Sequence, residues 1–276
     1  MKLIDFDEIF NRAMERELAK HAGERTEEEW ESAIAEAYAS FGRTVLPKLG
    51  KTPVQYFAEM SDQELCETLK EYILQDVPVP DFLSEELASR GAFPELLALL
   101  KETDEELVLY ALNALGPARP ALPRYAEMIA DEAYDEHVKD HLAELLKERA
   151  DEVADAMLAL AGTENAPYAL EVLSKVKARD GRVFDVLLSA FKGADEEELP
   201  LYAGYLASYG DERALPVLLA EIEREEIGFV AFQELKYAIE ALGGEYEKER
   251  DFSFDEAYKK IMAATAGADI FGRAKK

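Results

Sequence analysis

Between residues 94 and 242 apolar residues recur at i, i+3, i+4 and i+7, the spacing that lays one stripe along a helix turning every ~3.6 residues. Ala169, Val172, Leu173 and Val176 follow it, as do Phe184, Leu187, Leu188 and Phe191, and Leu215, Leu218, Leu219 and Ile222. Close variants are Leu107, Val108, Ala111, Leu112 and Leu115; Val138, Leu142, Leu145 and Leu146; and Phe232, Leu235, Ile239 and Leu242. No stretch alternates apolar and polar residues long enough to predict a strand. The pattern predicts an all-α chain of short amphipathic helices.

Polar punctuation between the stripes agrees. A Ser, Thr or Asp side chain accepts the free first-turn N–H groups of a helix, and a Glu three residues on reaches back. Thr26 with Glu29, Ser61 with Glu64, Thr103 with Glu106, Asp195 with Glu198 and Ser253 with Glu256 fit this arrangement. Gly91, Gly116, Gly162, Gly193, Gly210 and the pair Gly243-Gly244 each follow a stripe, where a left-handed residue ends a helix.

The first 80 residues fit the template less closely. Residues 4–21 and 26–40 read as two helices, the second with Trp30, Ile34, Ala37, Tyr38 and Phe41 on one stripe, and residues 53–60 and 62–75 as two more. Asp76-Val77-Pro78-Val79-Pro80-Asp81 cannot continue a helix, because its prolines lack N–H donors and restrict the residues before them. The expected organisation is therefore a helical N-terminal region over 1–80, capping the rest or standing alone, repeats over 81–250, and a last helix with a loose tail over 251–276.

The equivalent-looking glycines Gly116, Gly162, Gly210 and Gly243 lie 46, 48 and 33 residues apart. The last interval suits a helix pair; the longer two hold three helices each, as armadillo-type units do, or a pair with other boundaries. Following Ala207-Ser208-Tyr209, the run Gly210-Asp211-Glu212-Arg213-Ala214-Leu215-Pro216-Val217-Leu218-Leu219 resembles the turn and second helix of HEAT-like repeats of the phycobilisome-lyase type. Gly162-Thr163-Glu164-Asn165-Ala166-Pro167-Tyr168-Ala169-Leu170 and Gly116-Pro117-Ala118-Arg119-Pro120-Ala121-Leu122-Pro123 echo it with the proline displaced. The resemblance spans roughly residues 85–245 and implies an α–α superhelix of the armadillo-like class, a solenoid whose units bury their apolar faces against neighbours. It brings no functional residues, since such repeats serve scaffolds, adaptors, lyases and glycosylases alike.

Charge narrows the partners. Lys and Arg total 31 against 59 Asp and Glu, a formal net charge of −28. Phosphate backbones and anionic membrane surfaces both need local positive charge, so neither nucleic acid nor membrane is an expected partner. DNA glycosylases built from HEAT-like repeats hold the duplex on a positive face, and this balance departs from theirs. No apolar run approaches the ~20 residues of a membrane span. The N-terminal run Met1-Lys2-Leu3-Ile4-Asp5-Phe6-Asp7 is too acidic for a secretory signal, and one cysteine, Cys66, excludes a disulfide framework and a cysteine zinc cluster. A cytoplasmic location is expected.

Candidate chemistry is sparse. His137-Val138-Lys139-Asp140-His141 puts two imidazoles one turn apart, with Glu144 near the same face, a spacing that suits a transition metal. Against it stand the missing third ligand and the neighbouring buried stripe of Val138 and Leu142, which favour a solvated polar face. His21, at an expected helix end, complements the dipole. Cys66 sits among acidic residues that raise a thiol pKa, no Gly-x-Ser-x-Gly elbow is present, and Gly243-Gly244-Glu245 lacks the Lys-Ser/Thr of a phosphate loop. Charge does not exclude a bilin-lyase-like activity, but nothing marks a chromophore site. Leu199, Tyr202, Leu206 and Tyr209, with Tyr205 beside them, form one helix face; packing is its default role, yet repeat proteins also expose tyrosine for binding. These observations predict a non-enzymatic scaffold binding a protein or peptide, basic by charge complementarity, through a concave surface with Tyr202, Tyr205 and Tyr209. No cofactor is implied. The alternative is a metal-dependent or lyase-type enzyme using carboxylates with His137 and His141.

Overall fold

Residues 3–20, 26–91 and 93–267 are described by the structure, a computed structural model. His21 and the expected tail beyond residue 267 lie outside them. Every regular element among the described residues is helical, and the one backbone bridge pairs Leu46 with Lys51. The helices are α1 (Phe6–Lys20), α2 (Glu27–Phe41), α3 (Pro53–Ala58), α4 (Asp62–Leu74), α5 (Asp81–Arg90), α6 (Pro94–Leu99), α7 (Glu105–Leu115), α8 (Leu122–Ala130), α9 (Glu136–Lys147), α10 (Ala150–Leu160), α11 (Ala166–Leu173), α12 (Gly181–Gly193), α13 (Leu199–Tyr209), α14 (Leu215–Ile222), α15 (Phe229–Ala241) and α16 (Glu256–Gly267). Single 3-10 turns, Arg119–Ala121 and Glu212–Ala214, lead into α8 and α14.

The expected punctuation is largely present, with instructive shifts. Thr26–Glu29 and Ser61–Glu64 form reciprocal capping boxes, and Thr52–Gln55 adds a third. Asp104 rather than Thr103 caps α7, and Asp255 rather than Ser253 receives the first-turn Tyr258 N–H of α16 at 3.0 Å. In both cases the carboxylate, not the hydroxyl, stands directly before the first helical residue, and its charge also meets the positive end of the helix. Gly210 ends α13 in the left-handed region at φ 75 and ψ 28. Gly193, expected as a stop, instead is the last residue of α12, followed by an extended Ala194.

The chain forms two compact units, residues 1–124 and 125–276, and the division falls inside α8. In the first, α3 packs on α5 and α5 on α7, while α4 packs on α5, α6 and α7. The prolines at 78 and 80 thus interrupt a helix without separating two cores: Leu65, Leu69 and Tyr72 before them and Leu83, Leu87 and Leu96 after them are all buried. An aromatic cluster joins α1 and α2 to this core, with Phe10 edge-on to Tyr38 at 4.9 Å and Tyr38 stacked on Phe82 at 4.9 Å. Gly42 has no alternative here, because a Cβ on it would collide with the Phe82 ring.

In the second unit, α9, α11, α13 and α15 pack each on the next. Against them lie α10, in contact with α9, α11 and α12, then α12 on α11 and α13, and α14 on α15. Odd and even helices therefore make two layers whose facing stripes include Leu142, Leu146, Val153, Met157, Val172, Leu187, Leu206, Leu218 and Leu235, all buried. This alternation explains the uneven glycine intervals. Gly162 follows α10, of the even layer, whereas Gly210 and Gly243 follow α13 and α15, of the odd layer. The segments between Gly116 and Gly162, and between Gly162 and Gly210, hold three helices each. No helix among the described residues is long and apolar enough to cross a membrane.

Candidate functional site

The C-terminal ends of α9, α11 and α13 and the loops that leave them bound an open cleft of about 940 Å³ in the second unit. Three ends converge because successive odd helices run alike through the layer. Lining residues come from 144–152, 175–179 and 208–210 and include five cations, Lys147, Arg149, Lys175, Lys177 and Arg179, with four carboxylates, Glu144, Glu148, Asp151 and Glu152. In a chain of net charge −28 this is a local reversal of sign.

The loops that carry these side chains are held from below. Asp151 Oδ1 accepts the backbone N–H groups of Lys177 and Ala178, each at 2.9 Å, so the start of α10 grips the loop after α11. The Tyr209 hydroxyl accepts the Asp180 N–H at 3.0 Å and donates to the Asp180 carbonyl at 2.8 Å, fixing the same loop from α13. Arg179 Nη1 donates to the Gly210 carbonyl at 2.8 Å and lies 3.8 Å from Asp211 Oδ2. A recurring Asp-x-Arg clasp closes the next turns: Asp180 binds Arg182 at 2.6 Å and Asp211 binds Arg213 at 2.7 Å. Hydrogen bonds from these arginines hold both carboxyls below the usual carboxylate range. Arg182 also reaches Asp155 at 2.9 Å, and Arg213 lies over the Phe184 ring at 4.0 Å, so each clasp touches the preceding helices.

The cations differ in how far they are neutralised. Lys147 pairs with Glu144 and, at 2.7 Å, Glu171. Burial opposes its charge, but these two hydrogen bonds outweigh burial and its pKa lies above the ordinary lysine value. Arg149 meets Glu152 at 3.4 Å. Lys175 Nζ donates to the neutral Ser208 hydroxyl at 2.9 Å, and no carboxylate among the described residues pairs with Lys175 or Lys177. One edge of the cleft thus holds two ammonium groups without a counter-charge and a guanidinium bound mainly to a carbonyl.

Of the three tyrosines on the α13 face, only Tyr209 lines this cleft, and its hydroxyl is committed to the loop. Tyr202 and Tyr205 are half-buried with ring centres 5.9 Å apart, and the Tyr202 hydroxyl lies 3.4 Å from Glu198. Burial raises the pKa of both, with Glu198 and Glu171 respectively adding to it. His137 is exposed on α9, while His141 is half-buried with Nε2 enclosed and without a hydrogen-bond partner among the described residues. Burial lowers the His141 pKa, the His137 charge lowers it further, and Glu144 acts the other way. No group of three or more His, Cys, Asp or Glu among the described residues is placed to hold a metal ion. Cys66 is buried on α4, and burial first, then Glu95, pushes its thiol up to about 12.

The cleft is the feature that sequence reasoning missed. Its signal was present in Ser174-Lys175-Val176-Lys177-Ala178-Arg179, a basic run in an acidic chain, but averaging charge over the whole sequence concealed it. No protein-family model matches the chain, and no curated protein is recognisably similar to it in sequence.

Proposed function

We propose that this chain is a helical-repeat scaffold, an α–α superhelix built of HEAT-like units, that binds a segment of another protein rather than transforming a substrate. The observation that carries this reading is the two-layer alternation of the second unit, in which each odd helix packs on the next and the clasps Asp180–Arg182 and Asp211–Arg213 recur at equivalent turns. Stacked repeats hold surface loops in register over a packed core, which suits a surface that recognises an extended segment. The cleft at the ends of α9, α11 and α13 is such a surface: its loops are pinned by Asp151 and Tyr209, so little ordering remains to be lost on binding. Reactive groups fit less well, since the buried thiol of Cys66 stays protonated and carries no nucleophilic chemistry.

The test is selection of peptides from a random displayed library on the full-length chain. The scaffold reading expects a family of related sequences that bind reversibly and compete with one another. A chain that selects no peptide under varied salt, yet binds zinc stoichiometrically through His137 and His141, would favour the metal-dependent enzyme instead.

A further inference from the structure

We propose that the cleft bounded by the ends of α9, α11 and α13 takes an extended acidic peptide segment of a partner protein, whose carboxylates pair with Lys175, Lys177 and Arg179. The inference rests on the scaffold reading and gives the partner its chemistry.

Charge placement carries the argument. Cations at a helix C-terminus are commonly explained by the negative end of the helix dipole, an effect that fades beyond the last turn. Lys147, at the end of α9, is accounted for in that way and by Glu144 and Glu171. Lys177 is not, because it stands past the end of α11 at Leu173, on a loop whose backbone N–H groups are already taken by Asp151. Neither Lys175 nor Lys177 has a carboxylate partner among the described residues, in a protein with nearly two acids for each base. Two unneutralised ammonium groups therefore sit together on a pinned loop, facing open space of about 940 Å³.

The same cleft disfavours a nucleic acid. A phosphodiester chain carries a negative charge at every nucleotide, whereas Glu144, Glu148, Asp151 and Glu152 are interspersed with the cations. A peptide can space its acidic side chains to meet the lysines between these carboxylates. The net charge of −28 also opposes the approach of a DNA backbone.

The probe is a fluorescein-labelled peptide of about twelve residues alternating glutamate with small neutral residues, with its lysine counterpart and a single-stranded DNA of similar length for comparison. Binding to the full-length chain is read by fluorescence polarisation at about 50 mM salt, where screening is weak. The variant is Lys175→Gln/Lys177→Gln, whose side chains support no ion pair of the fold, with circular dichroism as the check on folding. The glutamate peptide should bind, weaken about tenfold in the double variant and weaken again near 0.2 M salt. Lys248→Gln, which breaks the Glu223 ion pair away from the cleft, should leave binding unchanged. Absence of glutamate-peptide binding, binding indifferent to the double substitution, or tighter binding of the DNA would overturn the proposal. If library-selected peptides bind without acidic enrichment and without sensitivity to Lys175 and Lys177, the cleft inference falls and the scaffold reading stands. A library without binders tells against the scaffold itself.

Discussion

A buried lysine shows how individual residues are settled in this fold. Lys139 is only 8% exposed, and its Nζ donates at 2.8 Å to Asn165 Oδ1, at the start of α11. Lys139 lies off the stripe of Val138, Leu142, Leu145 and Leu146, and its burial was not legible there, because periodicity gives the angle of a side chain around the helix but not the depth to which the next helix covers it. An ammonium in this position needs its acceptor, and removing one partner costs more than removing both. Asn165→Val should therefore destabilise the chain by about 2–4 kcal/mol and Lys139→Met by about 1–3 kcal/mol, whereas replacing both should cost less than Asn165→Val alone, as read from urea midpoints at constant slope. The three tyrosines teach the same lesson. Tyr202, Tyr205 and Tyr209 share a face in sequence, yet Tyr209 is clamped to Asp180 while the other two are half-buried, because only Tyr209 lies level with the loop after α11.

At the scale of elements, short helices depend on what satisfies their ends. Asp255 accepts Phe229 N–H at 2.8 Å and Tyr258 N–H at 3.0 Å, so one carboxylate caps both α15 and α16. At the opposite polarity Arg250 donates to the carbonyls of Ile222, at 2.8 Å, and Arg224, closing the end of α14 and tying down the segment before α16. Helix identities and most boundaries were legible in apolar spacing and glycines, but these long-range caps were not, since each joins residues some 26–28 positions apart. Asp255→Ala should cost about 2 kcal/mol through the loss of two caps. Backbone hydrogen bonds, first from Phe229 and then from Tyr258, lower the Asp255 pKa, so its stabilisation is complete above the ordinary carboxylate range and is lost as pH falls through its folded value. His141 acts in a different window. With its pKa lowered by burial, the unfolded chain binds the proton more readily, and stability drops as pH falls through about 6.5. Protonation of the excess acids relieves their repulsion mainly below this range and acts alike on wild type and variant, so the readout is a difference. The gap between wild type and His141→Gln in urea titrations should narrow between about pH 7.5 and pH 5.5, while that of Asp255→Ala should narrow only in the carboxylate range.

For the whole molecule, net charge proved a poor guide to local chemistry. The value of −28 pointed to a basic partner, while the cleft of the second unit gathers Lys147 and Arg149 around the end of α9 and Lys175, Lys177 and Arg179 from the loop after α11. A composition sum has no positions in it, and the clustering arises only when alternate helices stack. Layer assignment was hidden for the same reason: Gly162 looks like Gly210 in sequence but follows a helix of the other layer, two residues past the end of α10. The all-helical character of the described residues was open to sequence reasoning because it depends on local periodicity; the basic run 174–179 was open too, but not the cleft it lines, which depends on which ends meet. In the proposed stack of repeats stability becomes a sum of unit and nearest-neighbour terms, and a local defect stays local. Native-state hydrogen exchange on Leu235→Ala, which empties a fully buried position on α15 at a cost of about 2–5 kcal/mol, tests this most directly. The account predicts that protection falls across α15 and across α13 and α14, both of which contact it, and is retained in α9 and α10. An equal loss of protection in all five helices would mean a single cooperative core and would contradict the repeat architecture on which the functional reading stands.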